Sequence, residues 1–165
     1  MELYVVRHAM AVEHGSRARD SERPLSEDGR KRMHQATKAF DTLGVAVDGI
    51  LTSPYRRARE TAELAAETLG IPDRIEDLSA LAPGGSARAI AQALRQRCDE
   101  SHRVMIVGHE PELGSLIGLL VCGDESAGFR MKKGGLSKLV IDDLRLERCA
   151  VLEWHLWPRH LLRMG

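Results

Sequence analysis

The chain has 165 residues and a mass of 18.3 kDa, a length that suits one domain and leaves no room for a second catalytic one. With 43% hydrophobic residues, a chain of this size buries roughly 70% of its unfolded surface and can hold a core without disulfides. Its 24 Lys and Arg cancel its 24 Asp and Glu, which excludes a nucleic-acid or membrane binder that works through a bulk positive field. Of those cations 19 are Arg and 5 are Lys, so the positive half is mostly guanidinium, the group that grips carboxylate or phosphate in bidentate fashion. Aromatics make up 4%, too few for a base-stacking platform. Cys98, Cys122 and Cys149 are widely spaced and lack a Cys-x-x-Cys pair, so they are expected to be reduced, buried thiols. The apolar run after Glu2 meets charge at Arg7, too soon for a signal peptide or a membrane span, and a cytoplasmic location is expected.

Leu3 to Val6 form a β-branched and aromatic run that reads as a buried strand ending at Arg7-His8. Residues 13–24 are polar and read as a loop. Ser26 is an N-cap with Glu27 and Asp28 in the first turn, and Met33, Ala36, Phe40 and Leu43 recur at helical spacing up to Gly44. Asp48 to Thr52 is a second strand, and Ser53-Pro54 predicts a helix from Pro54 to Leu69 that closes at Gly70. Residues 74–81 are extended or a short strand. A turn at 82–86 caps a helix over 87–99. Val104 to Val107 is the clearest central strand and ends at Gly108-His109; Pro111 then opens a helix whose 112–121 stripe is core or interface. Residues 123–135 read as loop, and 136–141 and 150–157 as two late strands joined by a turn.

Strands alternating with helices predict a three-layer α/β/α domain with a mostly parallel central sheet, the late pair adding antiparallel edges. In such sheets ligands sit beyond the carboxyl ends of the strands. Three of those ends carry polar groups here: Arg7-His8, Ser53 to Arg57, and Gly108-His109. Two histidines and at least two arginines meeting in one pocket suit phosphoryl transfer through a histidine nucleophile, with guanidiniums neutralising the equatorial oxygens and no metal or cofactor required.

Arg7-His8-Ala9 resembles the Arg-His-Gly signature of the histidine phosphatase superfamily, which includes the phosphoglycerate mutases. Ser53-Pro54-Tyr55-Arg56-Arg57-Ala58-Arg59-Glu60-Thr61-Ala62 resembles its second motif, and Gly108-His109-Glu110-Pro111 its third. Arg23-Pro24-Leu25-Ser26 with Gly29 is similar to a loop of the SixA-type phosphohistidine phosphatases. The resemblance implies a phosphoglycerate mutase-like fold and a single histidine phosphatase domain over residues 1–165. It also implies His8 as the nucleophile that becomes phosphohistidine, with Arg7, Arg57, His109 and Arg23 binding phosphate. Arg56 competes with Arg57, and the spacing to Ser53 favours Arg57. The implied substrate is phosphohistidine on a histidine-containing phosphotransfer protein. The alternatives are a small-molecule phosphomonoesterase of the same superfamily and a non-catalytic phosphate-binding module.

Two departures from the pattern have consequences. Ala9 stands where glycine is usual, which requires φ below zero there. Larger members supply a glutamate acid between the second and third motifs, where this chain offers only Glu76 or Asp77; Glu110 is a third candidate, though Glu-Pro equally marks a helix start. Without an acid, P–N substrates are favoured, because an imidazole leaves once its distal nitrogen is protonated. Simpler roles are expected elsewhere. Arg59 with Glu63 reads as a solvated helix pair; Arg88, Arg95 and Arg97 as surface; Met33, Met105 and Met131 as core. His14, His34, His102, His155 and His160 have no motif context.

Overall fold

The computed structural model describes residues 1–13, 15, 19–99 and 102–165; His14 and Ser16 of the predicted loop lie outside the described residues. Strands β1 (Glu2–Arg7), β2 (Gly49–Thr52), β3 (Ile75–Asp77), β4 (Arg103–Gly108), β5 (Leu136–Ile141) and β6 (Ala150–Leu156) make one sheet in the order β3-β2-β4-β1-β5-β6. The first four are parallel. β5 runs antiparallel to β1 and to β6, which forms the edge.

The period-two pleat sorts β1 between two cores. Leu3 and Val5 face one cluster, with Leu94, Leu116 and Ile117; Tyr4 and Val6 face the other, with Met33, Phe40 and Ala62. Helices α4 (Ala87–Arg97) and α5 (Glu112–Cys122) cover the first face. The second is covered by α1 (Glu27–Thr37), α2 (Ala39–Thr42), α3 (Arg56–Leu69) and α6 (Pro158–Leu161). The result is the expected three-layer α/β/α arrangement. Leu113, Leu116, Ile117 and Leu120 are fully buried, so the 112–121 stripe is core, and each such side chain contributes about 1.5–3 kcal/mol of burial. On α3, Ala58, Ala62, Ala65 and Ala66 are fully buried, and their small size lets the helix lie close on the sheet. Met33, Met105 and Met131 are core as expected.

Several boundaries depart from the sequence reading. The first helix breaks at Lys38 into α1 and α2. Helix α3 starts at Arg56 rather than Pro54, because the chain bends at Pro54 and Tyr55 and Tyr55 is the extended cap. Pro111 caps α5, which begins at Glu112. The thiols are reduced but not buried: Cys98 and Cys149 are half-buried and Cys122 is exposed. Ala9 is buried, and no non-glycine residue has positive φ among the described residues, so its β-carbon fits without strain. Gly29 has a different constraint. A Cβ there would sit 2.0 Å from the Met10 carbonyl oxygen, so α1 can approach the chain leaving β1 only without a side chain at this position.

Candidate active site

The neighbouring parallel strands β2, β4 and β1 end side by side, and their last residues deliver the polar groups. His8 follows β1 with its backbone N–H bonded to the Gly108 carbonyl, and the Ser53 N–H is bonded to the Val107 carbonyl, so three chain segments are stitched together at this edge. Arg57 rises from the first turn of α3, and His109 follows β4. All three side chains are buried, His8 at 6%, Arg57 at 6% and His109 at 3% exposure. The two imidazole centroids lie 4.9 Å apart.

The partners fix both tautomers. His8 Nδ1 lies 2.7 Å from the Ala9 carbonyl, which can only accept, so Nδ1 carries the proton. Its Nε2 lone pair accepts from Arg57 Nε at 3.3 Å, since a guanidinium can only donate. His109 is the mirror case. Its Nδ1 faces Arg57 Nη2 at 3.4 Å, and its Nε2–H donates to Ser53 Oγ at 2.8 Å. Burial pushes the His8 imidazole down to about 3; the Ala9 bond opposes this, and His109, Arg57 and Arg7 add to it. Burial and then Arg57 bring His109 to about 3, against the pull of Asp20. Both rings are therefore neutral at physiological pH, and the fixed positive charge resides in the guanidiniums.

Arg57 is clamped by the 3-10 turn Asp20–Glu22. Its Nη1 donates to the Asp20 carbonyl at 2.8 Å and its Nη2 to the Asp20 carboxylate at 3.0 Å. The same carboxylate takes Arg23 Nη1 at 2.7 Å. Burial opposes its ionisation, but the bonds from Arg23 and Arg57 hold the Asp20 carboxyl below the usual range. Thr61, one turn beyond Arg57, donates its hydroxyl to the Arg57 carbonyl at 2.7 Å and accepts the Ala9 N–H at 3.1 Å. It thus ties α3 to the residue after the nucleophile candidate.

Arg7 is held from the opposite side. Its Nη1 donates to the Met131 carbonyl at 2.8 Å, while its buried Nε finds no acceptor within the described chain. The Met131 N–H donates to Glu110, which also takes the Gly114 N–H, so the main chain of one residue joins Arg7 to Glu110. Burial lifts the Glu110 carboxyl above its usual range, against Met131 and Arg7. Arg7, Glu110, Gly114, Phe129 and Met131 line an open cleft of about 470 Å³.

The structure brings together His8, Arg7, Arg57 and His109, and separates the rest. Arg56 turns away to Glu60 at 2.8 Å. Arg23 binds the Val12 carbonyl and Asp20, one carboxylate removed from Arg57. Glu76 and Asp77 sit on β3, three strand spacings or about 14 Å from β1, and are paired with Arg97 and Arg59. Both are therefore removed as acids at this site. Asp20 and the Met131 link escaped the sequence reading. Asp20 lies in an aperiodic loop, and its only signal was an acid three residues before Arg23; the Met131 link is made by backbone, which composition does not show.

The fold is that of the phosphoglycerate mutase-like histidine phosphatases, and the chain belongs to the histidine phosphatase superfamily, branch 1, whose family model matches residues 3–81. It is accordingly a phosphatase hydrolase of the phosphoglycerate mutase-like fold. It is 28% identical over 130 residues to the phosphohistidine phosphatase SixA of Escherichia coli K12, covering 78% of this chain and 80% of that protein. It is 37% identical over 138 residues to an uncharacterized protein of Picosynechococcus, covering 82% of each. The solved structure of the protein histidine phosphatase SixA complexed with tungstate superposes with a TM-score of 0.83 over 98% of this chain and 99% of that one, at 24% identity. The alpha-ribazole phosphatase from Shigella flexneri superposes at 0.72 over 96% and 97%, at 18% identity.

Proposed function

We propose that the protein, acting as a single domain over residues 1–165, removes the phosphoryl group from phosphohistidine on a phosphotransfer protein through a phosphohistidine formed on His8, with no metal in the reaction. The observation that carries this reading is the neutral His8 ring with its proton committed to Ala9 and its Nε2 facing Arg57. In the first step the Nε2 lone pair forms a bond to phosphorus as the substrate P–N bond breaks. The substrate imidazole, already protonated on its distal nitrogen, departs neutral. Phospho-His8 keeps its Nδ1–H against the Ala9 carbonyl and is itself an imidazolium. In the second step water forms the new P–O bond, the N–P bond breaks, His8 returns to its neutral tautomer, and the water proton passes to solvent with orthophosphate. Arg57 and the unpaired Nε of Arg7 bind the phosphoryl oxygens, where fixed charge stabilises the transition state; His109, whose Nε2–H is held by Ser53, joins them as a donor once the arriving phosphoryl dianion draws a proton onto its Nδ1. Arg23 contributes through Asp20.

Selection of P–N over P–O substrates follows from the engagement of the acids. An alkyl ester oxygen needs a proton as it leaves, but Asp20 is held by two arginines and Glu110 by backbone N–H groups. The similarity to SixA, and to a SixA structure that holds the oxyanion tungstate, supports the same reading. A small-molecule phosphomonoesterase is the competing reading, favoured by the raised Glu110 carboxyl beside Arg7. No helix among the described residues is long and apolar enough to cross a membrane, and the three free thiols suit a reducing cytoplasm. The test is to incubate wild type and His8→Ala with a phosphorylated phosphotransfer domain, then quench. Acid-labile, base-stable phosphate is expected on wild type alone; label persisting on His8→Ala, or faster turnover of alkyl phosphates than of phosphohistidine, overturns the assignment.

A further inference from the structure

The loop that holds Arg7 also carries a cluster of cations that the site geometry does not use. Arg130, Lys132 and Lys133 flank Met131, and Arg159 and Arg163 lie on and just after α6; all five are exposed. Both segments stand at the carboxyl end of β1. Gly134 N–H bonds the carbonyls of Arg7 and His8, and antiparallel pairing of Leu136 with Val6 and Leu156 brings Trp157 to the same edge. Lys132 Nζ lies 5.3 Å and the Arg159 guanidinium 4.7 Å from the centre of the Trp157 ring, so two like charges share one indole.

Among the described residues none of these five cations has a carboxylate partner, although acids equal bases over the whole chain. Glu125, which lines the same cleft as Arg130 and Lys132, is taken by Arg88. An apolar crease lined by Ala9, Met10, Met33 and Pro158 runs beside Lys133. A Trp braced by cations next to an apolar seat is the composition of a protein-binding patch, and it extends well beyond the reach of a single phosphate.

We infer that the Lys132–Trp157–Arg159 face is the docking surface for an acidic folded protein, which sets its phosphohistidine over His8. This rests on the proposed substrate class and adds where and by what charge the carrier is held. Steering by such a patch raises the association rate and makes it salt-dependent, while a free small substrate does not engage it.

The test separates docking from chemistry. Binding of an acidic phosphotransfer domain is measured on the His8→Ala background by tryptophan fluorescence, with Lys132→Glu/Arg159→Glu and the milder Lys132→Gln/Arg159→Gln, each checked for an unchanged Tm. A loss of at least about tenfold at low ionic strength, smaller for the neutral pair and shrinking as salt rises, is expected. Equal binding by all three proteins, or no binding by the parent, overturns the surface. With His8 intact, the charge-reversed variant turns over free phosphohistidine at the wild-type rate and loses only the protein-bound substrate; a parallel loss on both overturns it as well. Failure of wild type to hydrolyse either substrate strikes the proposed function instead, and the binding arm still decides the surface.

Discussion

The two ends of the sheet carry charge in opposite ways. At the amino end Asp48 meets Arg103 and Asp143 meets Arg145 in solvent-exposed pairs, and Glu2 meets the half-buried Lys138. At the carboxyl end the guanidiniums of Arg7 and Arg57 are drawn inward beside two neutral imidazoles. The amino-end clefts, of about 430 to 480 Å³, match the one beside Arg7 in size. Volume therefore does not mark the chemistry; guanidiniums held away from water beside neutral imidazoles do. Exposed pairs are screened and nearly interchangeable, whereas a buried guanidinium keeps its field for an incoming anion.

Substitutions can break or sharpen that contrast. The largest effect is expected for His8→Ala, which lowers turnover by on the order of 10⁴-fold or more in a phosphate-release assay, because the proposed covalent step is lost. Next is the adjacent pair: Arg57→Ala lowers kcat/KM by about 10²–10³-fold, the scale for losing a preorganised donor, while Arg56→Ala, which removes a solvent-facing pair with Glu60, stays within about twofold. Equal losses in both would erase the distinction between the buried and the solvent-facing arginine.

The imidazoles set a pH signature for stability. Both are lowered from 6.5 to about 3 in the folded protein. Between those values the unfolded chain binds protons that the native one refuses, so stability is full above about pH 6.5 and falls as the pH drops toward 3. The upper limit is about tenfold in the folding constant per pH unit per ring. Denaturant titrations from pH 7 to 4 should show this slope, and it should flatten in His8→Asn/His109→Asn. Asp20→Ala frees Arg57 and is expected to tighten inhibition by orthophosphate about fivefold, roughly 1 kcal/mol of competing hydrogen bond. Weaker inhibition would instead make Asp20 an orienting group. The smallest effect is reserved for the amino end, where Arg103→Ala should leave kcat/KM within about twofold.

Much of this arrangement was legible in the sequence, for physical reasons specific to each part. The apolar runs at 3–6 and 104–107 have no face to spare for water, so they announced central strands, and the residues that break them, His8 and His109, announced the site. Arg57 was separated from Arg56 by its distance from Ser53, and α3 realises that distance as inward and outward faces. The Asp20 clamp and the Met131 peptide were not legible, since one depends on where an aperiodic loop folds back and the other on main-chain atoms common to every residue. The separation of Glu76 and Asp77 from the site was hidden too, because β3 enters at the edge of the sheet and nothing local in its three residues declares that position.

The attachment of the 123–135 segment has a consequence for how this scaffold can change. It is fastened beside His8 by the Gly134 and Gly135 main chain and by the Met131 peptide, with the positive φ of Gly134 turning the chain into β5. The stretch between Asp124 and Arg130 is largely exposed and has no such fastening to β1. Insertions there would reshape the wall of the cleft while the catalytic register stays put. That stretch is where substrate range can drift, or be engineered, without disturbing the placement of the proposed nucleophile.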